Sequence, residues 1–265
     1  KDHPLSNNNG FRMDVLELIK DLNLGVIRYP GGNFTSGYDW KDTIGPKEKR
    51  PTKLELAWQG IETNEFGLNE FLDWIKLVDS EPIVTINLGT KGIQDAANIV
   101  EYCNFSSGTY WSDLRKSHGY SKPHNIKLWC LGNELDGKWQ IGTMTANEYG
   151  VLAREASKVM KRVDNSIETI VVGSSTPRLD SFPEWDREVL METYDYVDYI
   201  AIHNYIDKYE NESLNDTKSK IPSDTASYLS RYKNLELQIK TIINVCDYVK
   251  AKKRSSKRMK ICFDE

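Results

Sequence analysis

Two glutamates lie directly after predicted strands and could act together in catalysis. Glu134 follows the apolar run Ile126–Leu131, and Glu265 follows the apolar run Met259–Phe263. Glycoside hydrolysis needs one carboxyl group that stays protonated and one that stays ionised, the first as an acid and the second as a nucleophile. Different surroundings can hold the pKa values of such a pair apart. A lone glutamate after a strand is more often a rim residue in a salt bridge, but the pair favours glycoside hydrolysis.

Polar residues follow the other predicted strands as well. In chain order the strand ends carry Arg28 and Asn33, Asn87 and Thr90, Asn133 and Glu134, Ser174 and Ser175, His203 and Tyr205, and Asp264 and Glu265. His203 is the single imidazole in this set, so we expect no cluster of three metal ligands and no catalytic metal. No serine or cysteine lies on a nucleophile elbow, and no glycine-rich nucleotide motif follows a strand, so no cofactor is expected.

The elements that would position these residues alternate between strand and helix. The predicted strands are Gly25–Tyr29, Pro82–Leu88, Ile126–Leu131, Thr169–Val172, Val197–Ile202 and Met259–Phe263. The predicted helices are Phe11–Leu22, Glu65–Val78, Ile93–Tyr102, one opened by the capping box Thr145–Glu148, Glu184–Tyr194 and Ala226–Lys250. Nearly continuous apolar strands indicate a parallel sheet covered by helices on both faces. Without a nucleotide motif, the sequence favours an α/β fold of the TIM-barrel type, with its chemistry at the carboxyl ends of the strands.

The number of predicted strands indicates an incomplete barrel. A (β/α)8 barrel has eight strands, and six are predicted here. We therefore expect residues 1–265 to form one partial catalytic domain that lacks the first strand, before Lys1, and the eighth, after Glu265. Because an open sheet exposes two edges, we expect the isolated polypeptide to be unstable or inactive.

Composition and charge exclude several other classes of protein. Lys and Arg number 35 against 39 Asp and Glu, a net charge of −4, which argues against nucleic-acid binding. No apolar run approaches the roughly 20 residues that span a bilayer, so no membrane partner is expected. The four cysteines lack zinc-ligand spacing, and the N-terminus lacks a signal-peptide core, which is typical of a cytoplasmic protein. The polar stretch Asp207–Asp224 predicts a long loop above the barrel.

Several segments, in order along the chain, resemble one known family. They are Arg28-Tyr29-Pro30-Gly31-Gly32-Asn33-Phe34, Glu62-Thr63-Asn64-Glu65-Phe66-Gly67, Asn87-Leu88-Gly89-Thr90, Cys130-Leu131-Gly132-Asn133-Glu134, Trp139-Gln140-Ile141-Gly142 and Phe263-Asp264-Glu265. They resemble the α-L-arabinofuranosidases of glycoside hydrolase family 51. The stretch from about Tyr209 to Pro222 looks longer than is usual there. The family's first-strand glutamate, its Trp-Asn after the nucleophile, its eighth strand and its β-sandwich domain are not in this sequence.

The resemblance implies a retaining, double-displacement mechanism on a (β/α)8 barrel. Glu134 matches the general acid/base, and Glu265 matches the nucleophile. Asn133 matches the residue that hydrogen-bonds the sugar 2-hydroxyl, a contact that strengthens in the transition state. Arg28 and Asn33 match polar groups that hold the catalytic carboxylate and the furanose hydroxyls.

Four further residues complete the set of binding candidates. Tyr205 matches a tyrosine that contacts the nucleophile, and His203 lies two residues before it on the same face. Trp58 and Trp139 could form apolar walls of the sugar site or pack under loops, and the sequence leaves both readings open.

The function implied by the resemblance is exo-acting hydrolysis. Its substrate would be a terminal α-L-arabinofuranosyl group on arabinan or arabinoxylan, and the full-length protein would be a homo-oligomer. Two alternatives remain open at this point: a related barrel glycosidase acting on β-glucan or xylan, and a non-catalytic sugar-binding barrel. Loss of either glutamate would mark the non-catalytic barrel, and both are present.

Overall fold

The computed structural model describes residues 3–206 and 225–265, and a parallel sheet lies at its centre. The strands are β1 (Val26–Tyr29), β2 (Lys53–Leu54), β3 (Ile61–Glu62), β4 (Glu81–Thr85), β5 (Leu128–Cys130), β6 (Glu168–Val172), β7 (Tyr199–Ile202) and β8 (Lys260–Phe263). Six of them form one sheet in the order β1-β4-β5-β6-β7-β8, and every neighbouring pair is parallel. The predicted parallel sheet is confirmed. β2 and β3 form a separate antiparallel hairpin that the sequence analysis missed.

Helices connect successive strands of the sheet. They are α1 (Met13–Asp21), α2 (Leu68–Leu77), α3 (Ile93–Asn104), α4 (Tyr110–Ser117), α5 (Ala146–Val163), α6 (Glu184–Thr193), α7 (Thr225–Ser230) and α8 (Tyr232–Lys253). The predicted capping box opens α5, since the Thr145 hydroxyl accepts from the Glu148 amide and the Glu148 carboxylate accepts from the Thr145 amide. The single helix predicted over Ala226–Lys250 is divided, because α7 ends before Arg231 and α8 begins after it.

The core lies against both faces of the sheet. Val84, Trp129, Val171 and Ile200 from four consecutive strands are all 0% exposed. Such burial explains why the strands read as continuous apolar runs rather than alternating ones.

The sheet is open at both sides. Within the described residues β1 pairs only with β4, and β8 pairs only with β7. Val26 and Phe263 on these outer strands are about half exposed. An open, incomplete barrel was predicted and is confirmed, whereas the loop predicted at residues 207–224 lies outside the described residues. In the described part of the chain, no helix is both long enough and apolar enough to cross a membrane.

Candidate active site

Glu134 lies on a sharp turn after β5. The backbone passes through the left-handed region at Gly132, with φ of 109°, and again at Glu134, with φ of 44°. A side chain in this region costs on the order of 1 kcal/mol or more, which the surroundings must offset. The hydroxyl of Tyr149, from α5, fixes the turn because it donates to the Leu131 carbonyl at 2.8 Å and accepts from the Val172 amide at 2.9 Å.

Both carboxylate oxygens of Glu134 have partners. His203 Nδ1 lies 3.0 Å from Oε1, and the indole Nε1 of Trp139 donates to Oε2 at 2.7 Å. The Glu134 side chain is 9% exposed. The carboxyl group predicted to be the acid/base is therefore held in one orientation, with His203 at Oε1 and the Trp139 indole at Oε2.

Glu265 lies at the end of β8, beside the turn that follows β7. Its carbonyl accepts from the Asn204 amide at 3.0 Å, which continues the pairing of the two strands beyond their ends. Arg28 donates to its Oε1, and the Tyr205 hydroxyl donates to its Oε2. Burial, and then the bond to Glu265, raise the pKa of Tyr205 well above its usual range. The predicted contact between Tyr205 and Glu265 is present in the structure.

Arg28, on β1, contacts side chains that follow β5 and β8. Its NH1 group donates to Asn133 Oδ1 at 3.0 Å, its NH2 group binds Glu265, and its Nε lies 3.2 Å from Asp264 Oδ2. Burial alone would lower the pKa of Arg28, but the negative charges beside it, those of Asp264 and Glu265, raise it above its usual value. Arg28 therefore stays charged and fixes the orientation of three side chains.

His203 is surrounded by carboxylates. Besides Glu134, its Nδ1 lies 3.6 Å from Glu265 Oε2, and its Nε2 lies 3.4 Å from Asp264 Oδ1. Burial lowers the pKa of His203, but its close contacts with Asp264 and Glu134, together with the charges of Asp264 and Glu265, raise it to about 9. The imidazole is therefore protonated at neutral pH, with Nδ1 bonded to Glu134 and Nε2 facing Asp264.

The two catalytic candidates are close enough for a retaining mechanism. One ligand atom each from Glu134, His203 and Glu265 lie within 4.8 Å of one another. Carboxyl groups about 5–5.5 Å apart are typical of retaining glycosidases, whereas inverting enzymes hold them ~6.5–9.5 Å apart. The expectation that no three metal-ligating side chains would cluster is therefore wrong, because the sheet brings residues far apart in sequence to one point. The absence of a catalytic metal stays a prediction.

The remaining candidates lie at different distances from this centre. Asn33 is half-buried, and its main-chain carbonyl accepts from Gln140 Nε2 at 3.4 Å. Trp58 lies on the turn between β2 and β3 and is 73% exposed, so it packs under no loop. Among the described contacts none joins Trp58 to the two glutamates. The Trp139 ring is 42% exposed and lies against Gly137, where a Cβ atom would approach the ring to 2.4 Å.

The structure adds two residues that the list of candidates omitted. Asp264 contacts both Arg28 and His203. Gln140 accepts from Asn133 Nδ2 at 3.3 Å and donates to Ser36 Oγ at 2.5 Å, which fixes the Asn133 amide. The sequence contained a signal for each of them. Asp264 is one of the strand-end residues, and Gln140 lies in the family-like segment Trp139–Gly142.

Other strand-end residues have structural partners. Asn87 binds the main chain of Ser36, Tyr38 and Thr90, and so anchors the loop that follows β1. Ser174 and Ser175 bind Asp186 and Asp136 respectively. These contacts leave one assembled cluster, formed by Arg28, Asn133, Glu134, Trp139, His203, Tyr205, Asp264 and Glu265.

A family model described as the α-L-arabinofuranosidase 1 domain matches residues 18–220. The chain belongs to this family. The resemblance to family 51 is thereby confirmed. An intracellular exo-α-(1→5)-L-arabinofuranosidase 1 of Bacillus subtilis is 53% identical over all of this chain and 50% of its own. A similarly named protein of Halalkalibacterium halodurans is 52% identical over 99% of this chain and 50% of its own.

Solved arabinofuranosidase structures share the fold. A family 51 α-L-arabinofuranosidase from Bifidobacterium longum superposes with a TM-score of 0.92 at 35% identity, over 99% of this chain and 51% of that one. An arabinofuranosidase of Thermotoga maritima, solved as an arabinose complex, gives a TM-score of 0.86 at 37% identity, over 98% and 50%. The chain thus spans about half the length of the relatives it matches, and its sheet corresponds to part of their catalytic barrel.

Proposed function

We propose that residues 1–265 are part of the catalytic domain of a retaining, exo-acting α-L-arabinofuranosidase. The observation that carries the proposal is the pairing of Glu134 and Glu265 around His203, with their oxygens within 4.8 Å. Membership of the family supports the sugar specificity. Arg28 contacts both Glu265 and Asn133, the residue before Glu134, and these polar groups can serve the hydroxyls of a bound sugar.

In the first step Glu265 attacks the anomeric carbon. A bond forms between a Glu265 oxygen and that carbon, the glycosidic carbon–oxygen bond breaks, and the leaving oxygen takes a proton from Glu134. Arg28 and Tyr205 each donate to one Glu265 oxygen, which fixes the nucleophile before attack.

In the second step water releases the sugar. Glu134, now ionised, removes a proton from the water, whose oxygen attacks the anomeric carbon while the bond to Glu265 breaks. His203 and Trp139 hold the Glu134 carboxylate in place, so it can act as the acid in the first step and as the base in the second without moving. Asn133, fixed by Arg28 and Gln140, is placed to bind the 2-hydroxyl.

The natural substrate in this proposal is a terminal arabinofuranosyl group of arabinan or arabinoxylan. The Bacillus subtilis and Halalkalibacterium halodurans relatives are named for the α-(1→5) linkage, and a Bifidobacterium longum relative at 40% identity is named for the α-(1→6) linkage. We also propose a cytoplasmic location, which the word intracellular in the names of the first two relatives supports. A homo-oligomeric full-length protein is part of the same proposal.

The experiment is hydrolysis of aryl α-L-arabinofuranosides with leaving groups of different basicity. The protein is expressed from the complete reading frame in which this sequence lies, as wild type and as Glu134→Ala. We expect turnover by the wild type and a loss in the variant that is largest for poor leaving groups, because these need the proton most. Added azide should restore turnover of the variant on good leaving groups. An inactive wild type, or a variant as fast as the wild type, would refute the proposal.

A further inference from the structure

The carboxylate of Asp264 is buried without an ordinary hydrogen bond. Its side chain is 3% exposed, and among the described residues neither oxygen accepts a hydrogen bond of good geometry. Its neighbours are the two cations of the site, Arg28 at 3.2 Å and His203 at 3.4 Å. Because a desolvated carboxylate is strongly unfavourable unless charges of the opposite sign compensate it, these two contacts account for its place in the structure.

We propose that Asp264 is a positioning residue, whose negative charge fixes Arg28 and His203 and offsets their positive charges beneath the reacting sugar. The inference rests on the proposed function and deepens it. Arg28 and His203 each contact a catalytic carboxylate on one side and Asp264 on the other. Asp264 therefore acts on both carboxylates through its neighbours and touches neither the substrate nor the reacting atoms.

The charges of the site explain why such a residue is needed. Positive charge develops on the sugar in both transition states of a retaining glycosidase. Two cations next to that sugar would oppose this charge, and they would also stabilise Glu265 as an anion and weaken it as a nucleophile. Asp264 reduces both effects, because electrostatic groups fixed before the reaction act strongly in a site shielded from water.

Asp264 also maintains the charge of His203. The titratable groups that face the imidazole are Glu134 after β5, and Asp264 and Glu265 after β8. From α8, Gln238 is neutral and donates to the main-chain carbonyl of His203 at 2.9 Å. Without the charge of Asp264, fewer carboxylates oppose the effect of burial, so the pKa of His203 is lower than in the wild type. His203 then loses its proton at a lower pH than in the wild type.

The test is Asp264→Asn in the protein expressed from the complete reading frame. We expect kcat to fall on the order of 100-fold with little change in KM. The loss should be similar for good and poor leaving groups, because both steps pass through a positively charged transition state. The basic limb of the pH profile should begin at lower pH, and Asp264→Glu, which keeps the charge, should move that limb back. Asp186→Asn, which removes a buried carboxylate outside the site, serves as the control.

Several outcomes separate this inference from the proposed function. The inference is overturned if the wild type is active on aryl arabinofuranosides and Asp264→Asn has the same kcat and pH profile, or differs from it in KM alone. The proposed function would still stand in that case. If Asp264→Asn does not fold, the wild type decides the question through 15N NMR of its labelled histidine rings, with His203→Asn for assignment. A doubly protonated His203 ring at about pH 8 supports the inference, and a neutral ring overturns it.

Discussion

The indole of Trp139 reaches Glu134 because Gly137 has no side chain. The ring lies against the Gly137 backbone, and its Nε1 donates to Glu134 at 2.7 Å. The sequence left open whether Trp139 forms an apolar wall of the sugar site or packs under a loop, and the hydrogen bond adds a direct effect on Glu134. Single-residue changes in this segment should therefore affect the chemistry as well as the binding of substrate.

Gly137→Ala should lower kcat/KM about tenfold, because the new methyl group displaces the indole and with it one donor to Glu134. Trp139→Phe keeps an aromatic ring but removes the indole N–H donor, and it should have a similar effect. The double variant should lose little more kcat/KM than either single variant. Steady-state kinetics on an aryl arabinofuranoside measures all three. Gly92→Ala is the matched control, since nothing lies within 4 Å of its added atom. Fully additive losses would contradict the account.

At the scale of elements, buried polar side chains of one helix bind groups at the end of a neighbouring helix or strand. Arg115 of α4 is 0% exposed and has no carboxylate partner among the described residues. Its guanidinium donates instead to the carbonyls of Tyr102, Phe105 and Ser106, which α3 leaves unsatisfied at its C-terminal end. α4 was not predicted, because Tyr110–Ser117 is short and polar. It packs through this buried arginine together with Trp111 and Leu114, which lie against the core.

Arg115→Met should lower the free energy of unfolding by about 3 kcal/mol, because several buried carbonyls lose their donors. Lys116→Met, an exposed neighbour on the same helix, should change it by less than about 0.5 kcal/mol. Chemical denaturation of the two variants gives the comparison. Equal effects would show that the guanidinium contributes nothing specific.

Asp186 joins the end of β6 to the start of α6. It is fully buried, and its carboxylate accepts from the amide and the hydroxyl of Ser174. Burial raises its pKa from 3.8 to about 6, although the Ser174 bonds oppose the shift. A raised pKa in an acid means that the folded state keeps a proton that the unfolded state has lost. This group therefore costs stability progressively as pH rises from about 4 to about 6.

Asp186→Asn should accordingly gain stability relative to the wild type across that pH range, by up to about 3 kcal/mol, and the difference should be constant above it. Unfolding midpoints measured between about pH 4 and 7 test this expectation. A difference that does not change with pH would show that Asp186 titrates normally.

At the scale of the whole molecule, the open sheet has a consequence for the polypeptide. The outer strands β1 and β8 present unpaired backbone groups, and Val26 and Phe263 on them are half exposed. We expect a polypeptide of residues 1–265 alone to self-associate and to show no turnover, because exposed strand edges pair with other chains. Light scattering and the aryl arabinofuranoside assay measure both properties. A monodisperse, active monomer would contradict this expectation.

The sequence predicted the sheet better than the connections around it. Apolar runs such as Pro82–Leu88 and Ile126–Leu131 located strands because burial on both faces leaves a strong local pattern. The two-residue strands of the hairpin β2–β3 leave no such pattern. In the site, strand ends identified the clustered residues. Contacts such as Trp139 to Glu134 depend on loop geometry, which no periodicity in the sequence records.

The stereochemical course of the reaction tests the central claim most directly. One carboxylate oxygen of Glu134 lies within 4.8 Å of one of Glu265, which favours direct attack by Glu265. Such a double displacement retains the anomeric configuration. The protein expressed from the complete reading frame is incubated with an aryl α-L-arabinofuranoside in the presence of methanol, and the methyl glycoside formed is identified by proton NMR. The account predicts methyl α-L-arabinofuranoside as the first product. Formation of the β anomer would contradict it, because a single displacement leaves no role for Glu265 as a nucleophile.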